Sequence, residues 1–314
     1  MKYALRILLV LVVSLLVFAV AGIFATWAPD KPVSALSARW ATAPSQFISV
    51  NGMQVHIRDE GPRNDPHPIV LLHGTSDSLH TWQGWVDGLK GKRRVIRFDL
   101  PAFGLTGPDP KDDYSIENYV VFVRSVVDTL GVQSFVVAGN SLGGQIAWAT
   151  ALAMPKRVHQ LVLVDSAGYV FVPKSVPVGF LIARLPGVHK LFEYVLPRGV
   201  VQSSVRNVFG DPGKVRPELV DRFYDLTLRE GNRKALAIRM NHVFSGDEAQ
   251  IKKLRVPTLV MWGAKDRLIP VENAKRFESD IPGAQLVIFN ELGHVPQEED
   301  PVATLAELRR FLVK

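Results

Sequence analysis

Phe135-Val-Val-Ala-Gly-Asn-Ser-Leu-Gly-Gly-Gln-Ile-Ala-Trp148 carries an apolar run into a serine held between glycines and leaves it as a helix-forming segment. Residues 135–138 are short, apolar and rich in valine, as a buried strand is. Beyond Ser141, the residues Ile146, Ala147, Ala149 and Ala151 fall at helix-compatible spacing. A strand that turns so sharply into a helix strains the backbone at the bend, and side chains two positions to either side would collide. Gly139 and Gly143 occupy those two positions, and Gly144 lets the new helix lie close to neighbouring strands. The bend thus presents Ser141 as a nucleophile.

A serine hydroxyl is a poor nucleophile at neutral pH and needs a base, an acid to orient that base, and donors for the developing oxyanion. The acid candidate is Asp266, in the turn that closes the apolar run Thr258-Leu-Val-Met-Trp-Gly263. The base candidate is His294, just after the run Gln285-Leu-Val-Ile-Phe289. Thr75 ends Ile69-Val-Leu-Leu-His-Gly-Thr75, and its backbone N–H would pair with that of Leu142 as an oxyanion hole. Asp165 also ends an apolar run downstream of the nucleophile and is the rival acid; its bland reading is a loop-stabilising carboxylate.

The Gly-x-Ser-x-Gly elbow followed by Asp and then His resembles the α/β-hydrolase superfamily. The resemblance covers about Phe47 to the C-terminus. It implies an α/β fold with a mostly parallel eight-stranded sheet, helices on both faces, a helical cap insertion, and hydrolysis through an acyl-serine without a cofactor. With its N-terminal run included, the chain is similar to bacterial membrane phospholipases A and carboxylesterases. Ser141 stands where dehalogenases and epoxide hydrolases carry aspartate, and Val295 stands where carbon–carbon bond hydrolases often carry Trp. In Asp99-Leu-Pro-Ala-Phe-Gly104, Ala102 replaces the glycine that commonly follows the proline, which touches loop geometry only.

Length and composition bound the rest. A chain of 314 residues with 47% hydrophobic content can bury one large core. With no cysteine there is neither a thiol nucleophile nor a disulfide. The net charge of +7 is local: residues 169–256 hold fifteen Lys/Arg against eight Asp/Glu, and the remainder balances. No metal-ligand or phosphate-loop motif is present, so neither metal nor nucleic acid is expected as a partner.

Residues 1–28 read as a transmembrane signal-anchor. The run from Ile7 to Ala28 has no charge and follows Lys2 and Arg6. As a helix it would span ~33 Å, against a hydrocarbon core of ~30 Å. The positive flank predicts a cytoplasmic N-terminus and a periplasmic catalytic domain in a single-pass inner-membrane protein, with a homodimer through the helix as a further expectation. A cleaved signal peptide is the alternative, with Ala19-Val-Ala21 as its site. Residues 29–46 read as a juxtamembrane segment, helical from about Val33 to Ala41.

Residues 47–166 and 255–314 read as the catalytic domain. It opens with a hairpin at Asn51-Gly52. A helix is expected over 79–89, another from a Ser115 cap to Gly131, and a last one from Pro301 to Val313. Residues 167–254, interrupted by prolines, break the strand–helix alternation and read as a helical cap over Ser141. Its apolar residues, among them Phe180, Leu185, Val188, Leu191 and Phe192, suit either an acyl-binding wall and membrane-touching lid or the core of the cap itself. His56, His67, His80, His159, His189 and His242 have no motif context, and His73 reads as structural.

Two function classes follow: a serine ester hydrolase acting on acyl lipids or on smaller esters, with carbon–carbon bond hydrolysis as the variant, and a non-catalytic hydrolase-fold scaffold.

Overall fold

The computed structural model describes residues 2–185, 190, 192–241 and 248–313. Val188, His189, Leu191 and His242 lie outside the described residues. One sheet is built from β1 (Gln46–Val50), β2 (Met53–Glu60), β3 (Ile69–Leu72), β4 (Val95–Phe98), β5 (Phe135–Asn140), β6 (Val158–Val164), β7 (Thr258–Gly263) and β8 (Gln285–Phe289). The strand order is β1-β2-β4-β3-β5-β6-β7-β8. The β1–β2 and β2–β4 pairs are antiparallel and the rest parallel. Asn51 and Gly52 join the first pair with φ of 50° and 80°, the double positive φ that a tight hairpin turn with the right twist requires.

The helices among the described residues are α1 (Lys2–Ala25), α2 (Val33–Trp40), α3 (Gln83–Leu89), α4 (Ile116–Thr129), α5 (Leu142–Ala153), α6 (Val178–Ala183), α7 (Arg198–Val208), α8 (Pro217–Thr227), α9 (Asn232–Asn241), α10 (Glu248–Ile251), α11 (Glu272–Asp280), α12 (Pro296–Glu299) and α13 (Pro301–Leu312). The expected helix over 79–89 begins as a 3₁₀ turn, Leu79–Trp82. The Ser115 hydroxyl caps α4 by accepting from the Asn118 amide at 3.3 Å.

The central strands are covered on both faces, which is why they read as unbroken apolar runs. Along β5, Phe135 and Val137 pack with Phe122, Val126 and Ile146 from α4 and α5. Val136 and Ala138 point the other way, toward Trp82, Trp85, Leu305 and Leu308. Between β6 and β7 the chain leaves the sheet for α6 to α10, which lie across the strands' C-terminal ends. This layer has a core of its own, with Leu196, Val201, Val205, Phe209 and Val220.

The N-terminus corrects the anchor expected over Ile7–Ala28 and the single-pass localisation drawn from it. Among the described residues, no helix is long and apolar enough to cross a membrane. Helix α1 stops at Ala25, short of the expected end. The last three residues of the expected span do other work. Leu196 donates its amide to the Thr26 carbonyl at 3.0 Å, the Ala28 amide donates to Tyr194 at 2.8 Å, and Trp27 stacks on Tyr194 at 5.7 Å.

The segment after α1 continues along the same layer. Asp30 pairs with Arg233 at 2.6 Å, Arg39 with Asp221 at 2.7 Å, and Trp40 Nε1 donates to Asp225 at 3.0 Å. Leu36 of α2 is buried against Leu226 of α8.

Candidate active site

Ser141 sits at the bend between β5 and α5 with φ 56° and ψ −116°. A Cβ at Gly139 would lie 2.0 Å from the Gly143 carbonyl oxygen, and one at Gly143 would lie 2.2 Å from that of Leu72. Backbone occupies both places, so no side chain fits and the bend can close fully. At Gly144 a Cβ would meet Ser166 Oγ at 2.4 Å, which fixes how near α5 runs to the end of β6.

His294 follows β8 and Asp266 follows β7; both are buried. His294 Nδ1 lies 2.7 Å from Asp266 Oδ2. The other carboxylate oxygen of Asp266 accepts from the amides of Leu268 at 2.8 Å and Ile269 at 3.0 Å, which orients the group. With the Nδ1 proton turned to the carboxylate, Nε2 is the nitrogen left to act as a base. Asn140 Nδ2 donates to the His294 carbonyl at 2.8 Å and to that of Val164 at 3.1 Å, tying the histidine loop to the elbow. Ser141, His294, Gly74 and Thr75 border one cavity.

The loop after β3 rests on the elbow: a Cβ at Gly74 would lie 3.0 Å from Asn140 Oδ1 and 3.2 Å from Ser141 Cβ. Its scaffold is His73, whose Nδ1–H donates to the Gly74 carbonyl at 2.8 Å while Nε2 accepts from the Leu100 amide at 2.9 Å. Burial depresses its pKa, so the ring stays neutral with both nitrogens engaged. Thr75 therefore stands beside Ser141 on one side, and Leu142, first residue of α5, follows Ser141 on the other.

Asp165, the rival acid, is next to this pair but is not hydrogen-bonded to the imidazole. Its Oδ1 accepts from the Gly263 amide at 3.0 Å. Burial and the neighbouring Asp266 push its pKa well above the usual carboxylate range. Asp165, Asp266 and His294 bring one ligand-type atom each within 4.8 Å of one another. The short bond between Asp266 and His294 turns their lone pair and proton toward each other, the arrangement of an acid–base pair rather than of a metal cage.

Several side chains that shape the site carry no sequence motif. Arg222 of α8 is buried and forks between Glu298, at 2.6 Å, and Asp77, at 3.1 Å. Asp77 stands two residues after Thr75 and Glu298 four after His294, so one guanidinium joins the cap layer to the loops that carry both residues. Burial pushes the Asp77 carboxyl up to about 7. Glu299 accepts from the amides of Gly293, Gly210 and Asp211, each at 2.9 Å. His56 bonds Asp99 at 2.7 Å and Ser45 at 2.8 Å, while Asp99 also accepts from the amides of Leu79 and Leu105 at 2.8 Å. That knot braces the β2–β4 edge away from the cavity.

The cavity over Ser141 encloses about 1010 Å³ of empty space, its open mouth included. Phe180, Phe192, Leu196, Val201, Val205 and Phe223 wall it from the cap side. The Arg233 guanidinium reaches its wall but is held by Asp30 and the Phe192 carbonyl.

The chain belongs to the α/β-hydrolase fold family, whose profile matches residues 67–301. It is 29% identical over 277 residues to an uncharacterized hydrolase of Bacillus subtilis, spanning 87% of this chain and 99% of that one. It is 27% identical over 278 residues to a 2-hydroxy-6-oxo-2,4-heptadienoate hydrolase of Pseudomonas putida, spanning 85% and 95%. The crystal structure of a membrane phospholipase A superposes with a TM-score of 0.73 at 23% identity, covering 100% of this chain and 98% of the other, a likeness of fold.

Proposed function

We propose that the protein is a serine hydrolase of carboxylic esters with long apolar acyl groups, acyl lipids among them. Ser141 Oγ attacks the ester carbonyl while His294 Nε2 takes its proton. Asp266 holds the imidazole and balances its charge, and the amides of Thr75 and Leu142 receive the oxyanion. The alcohol leaves protonated by His294, and water then releases the acid from the acyl-serine. Losing one oxyanion donor in such a site costs ~3 kcal/mol, so the two amides are asked for a large part of the barrier lowering.

The observation that carries this reading is the wall of the cavity, aliphatic and aromatic around Ser141 and His294. Burying a methylene is worth about 0.8 kcal/mol, so an acyl chain gains affinity with each carbon that enters. Carbon–carbon bond hydrolysis of the kind named for the Pseudomonas relative is the second reading. A dienoate brings a carboxylate, which needs a cation; the guanidinium at the wall, Arg233, is already neutralised by Asp30. That favours the ester.

The test is hydrolysis of p-nitrophenyl esters of increasing chain length, together with micellar phospholipid and lysophospholipid, by the native protein and Ser141→Ala. Turnover should rise with chain length and vanish in the variant. Turnover that survives Ser141→Ala, or that is confined to dienoate substrates, would sink the proposal.

A further inference from the structure

We propose that Asp165 is a second acid serving His294, standing behind Asp266 and able to take over its charge. This rests on the reading of Ser141, His294 and Asp266 as the reacting constellation, and it concerns a positioning residue that acts through the imidazole.

Three independent observations converge on Asp165. Its backbone has φ 43°, a left-handed conformation that costs a residue with a side chain energy and persists where the surroundings enforce it. It is fully buried, and no donor among the described residues reaches Oδ2, so its partner is the Asp266 carboxylate and the bond between them needs a proton on Asp165. Finally, the carboxyl lies in one cluster, within 4.8 Å, with the Asp266 carboxylate and the His294 ring.

The charges then arrange themselves. Two carboxyls this close share one negative charge. Asp266 accepts two backbone amides and the imidazole, so it holds the charge, whereas Asp165 has one amide, from Gly263, and keeps its proton. Glu299, nearby on α12, adds to the negative field at Asp165 and supports the same assignment. If Asp266 is made neutral, the reason for Asp165 to stay protonated goes with it. Its carboxylate then faces the imidazolium that forms when Ser141 attacks.

The experiment compares kcat/KM for a p-nitrophenyl ester across pH in the native protein, Asp266→Asn, Asp165→Asn and the double variant, with Ser141→Ala as baseline and circular dichroism for folding. Asp266→Asn should keep activity at least tenfold above the double variant. Both variants should show the acid limb that His294 gives; the Asp266→Asn remainder should carry in addition a second acid-side inflection, where Asp165 takes its proton back, which a role in folding alone would not create. Where Asp165→Asn does not fold, Asp165→Ser in the Asp266→Asn background gives the same comparison. Equal activity of Asp266→Asn and the double variant overturns the proposal and leaves the constellation standing. A native rate no greater than that of Ser141→Ala overturns the constellation itself.

Discussion

Asn140, the residue before Ser141, donates its side-chain amide to the backbone carbonyl of His294 at 2.8 Å. Ser141 and His294 come from loops more than 150 residues apart in sequence, and this bond sets one loop against the other. Replacing Asn140 with Ala takes the donor from the His294 carbonyl, while the Val164 carbonyl keeps the Ser141 amide, and frees the histidine loop. We expect kcat to fall on the order of 10–100-fold, with stability down by about 2 kcal/mol. Steady-state kinetics beside thermal denaturation separates the two effects.

Arg222→Met removes the cation between buried Asp77 and half-buried Glu298. Breaking a buried pair from one side costs about 3–5 kcal/mol, and denaturant unfolding should show a loss of that size. Asp77→Asn in the same background should recover part of it.

Asp77 also gives stability a pH dependence. Its folded pKa, about 7, is raised above the ordinary carboxyl value of 3.8. The stabilisation from the bound proton is therefore complete below about pH 4 and lost as pH rises through 7. Asp77→Asn has no proton to lose. Its melting temperature should gain on the native protein's between pH 4 and 7 and run parallel to it above pH 8.

Gly143→Ala places a methyl group 2.2 Å from the Leu72 carbonyl oxygen, where only backbone movement makes room. A loss of about 3 kcal/mol is expected, together with the loss of fluorophosphonate labelling at Ser141. Retained labelling at the native rate would mean that the elbow tolerates a side chain there.

Val201→Trp places an indole in the cavity from the cap side. Long-chain esters should lose about tenfold or more in kcat/KM while short esters keep theirs. Equal losses across the chain-length series would show that the acyl chain lies elsewhere.

The bend at Ser141, the strand ends and the placement of Asp266 and His294 after β7 and β8 were legible because each rests on a local rule. Only glycine fits beside the bend, and a strand buried on both faces must read as apolar throughout. Arg222, Glu299 and Asn140 were not legible, since their partners lie 76 to 154 residues away or on backbone atoms that no motif marks. Ala102 lies between these cases. Its departure from the common glycine was visible, but its φ of 82° within a buried loop was not. The N-terminal run misled because an uncharged stretch carries no sign of where its helix stops. The bonds from Tyr194 and Leu196 end it at Ala25, and those partners sit in the cap.

The bond between Asp30 and Arg233 bears on how the protein can be handled. A border placed at Gln46, where the first strand begins, would suggest a shortened form convenient for production. That form keeps every strand and every residue around Ser141, but it strips the countercharge from a guanidinium in the cavity wall. The trimmed enzyme would thus be recruited toward anionic substrates, and a screen run on it would report a preference that trimming created.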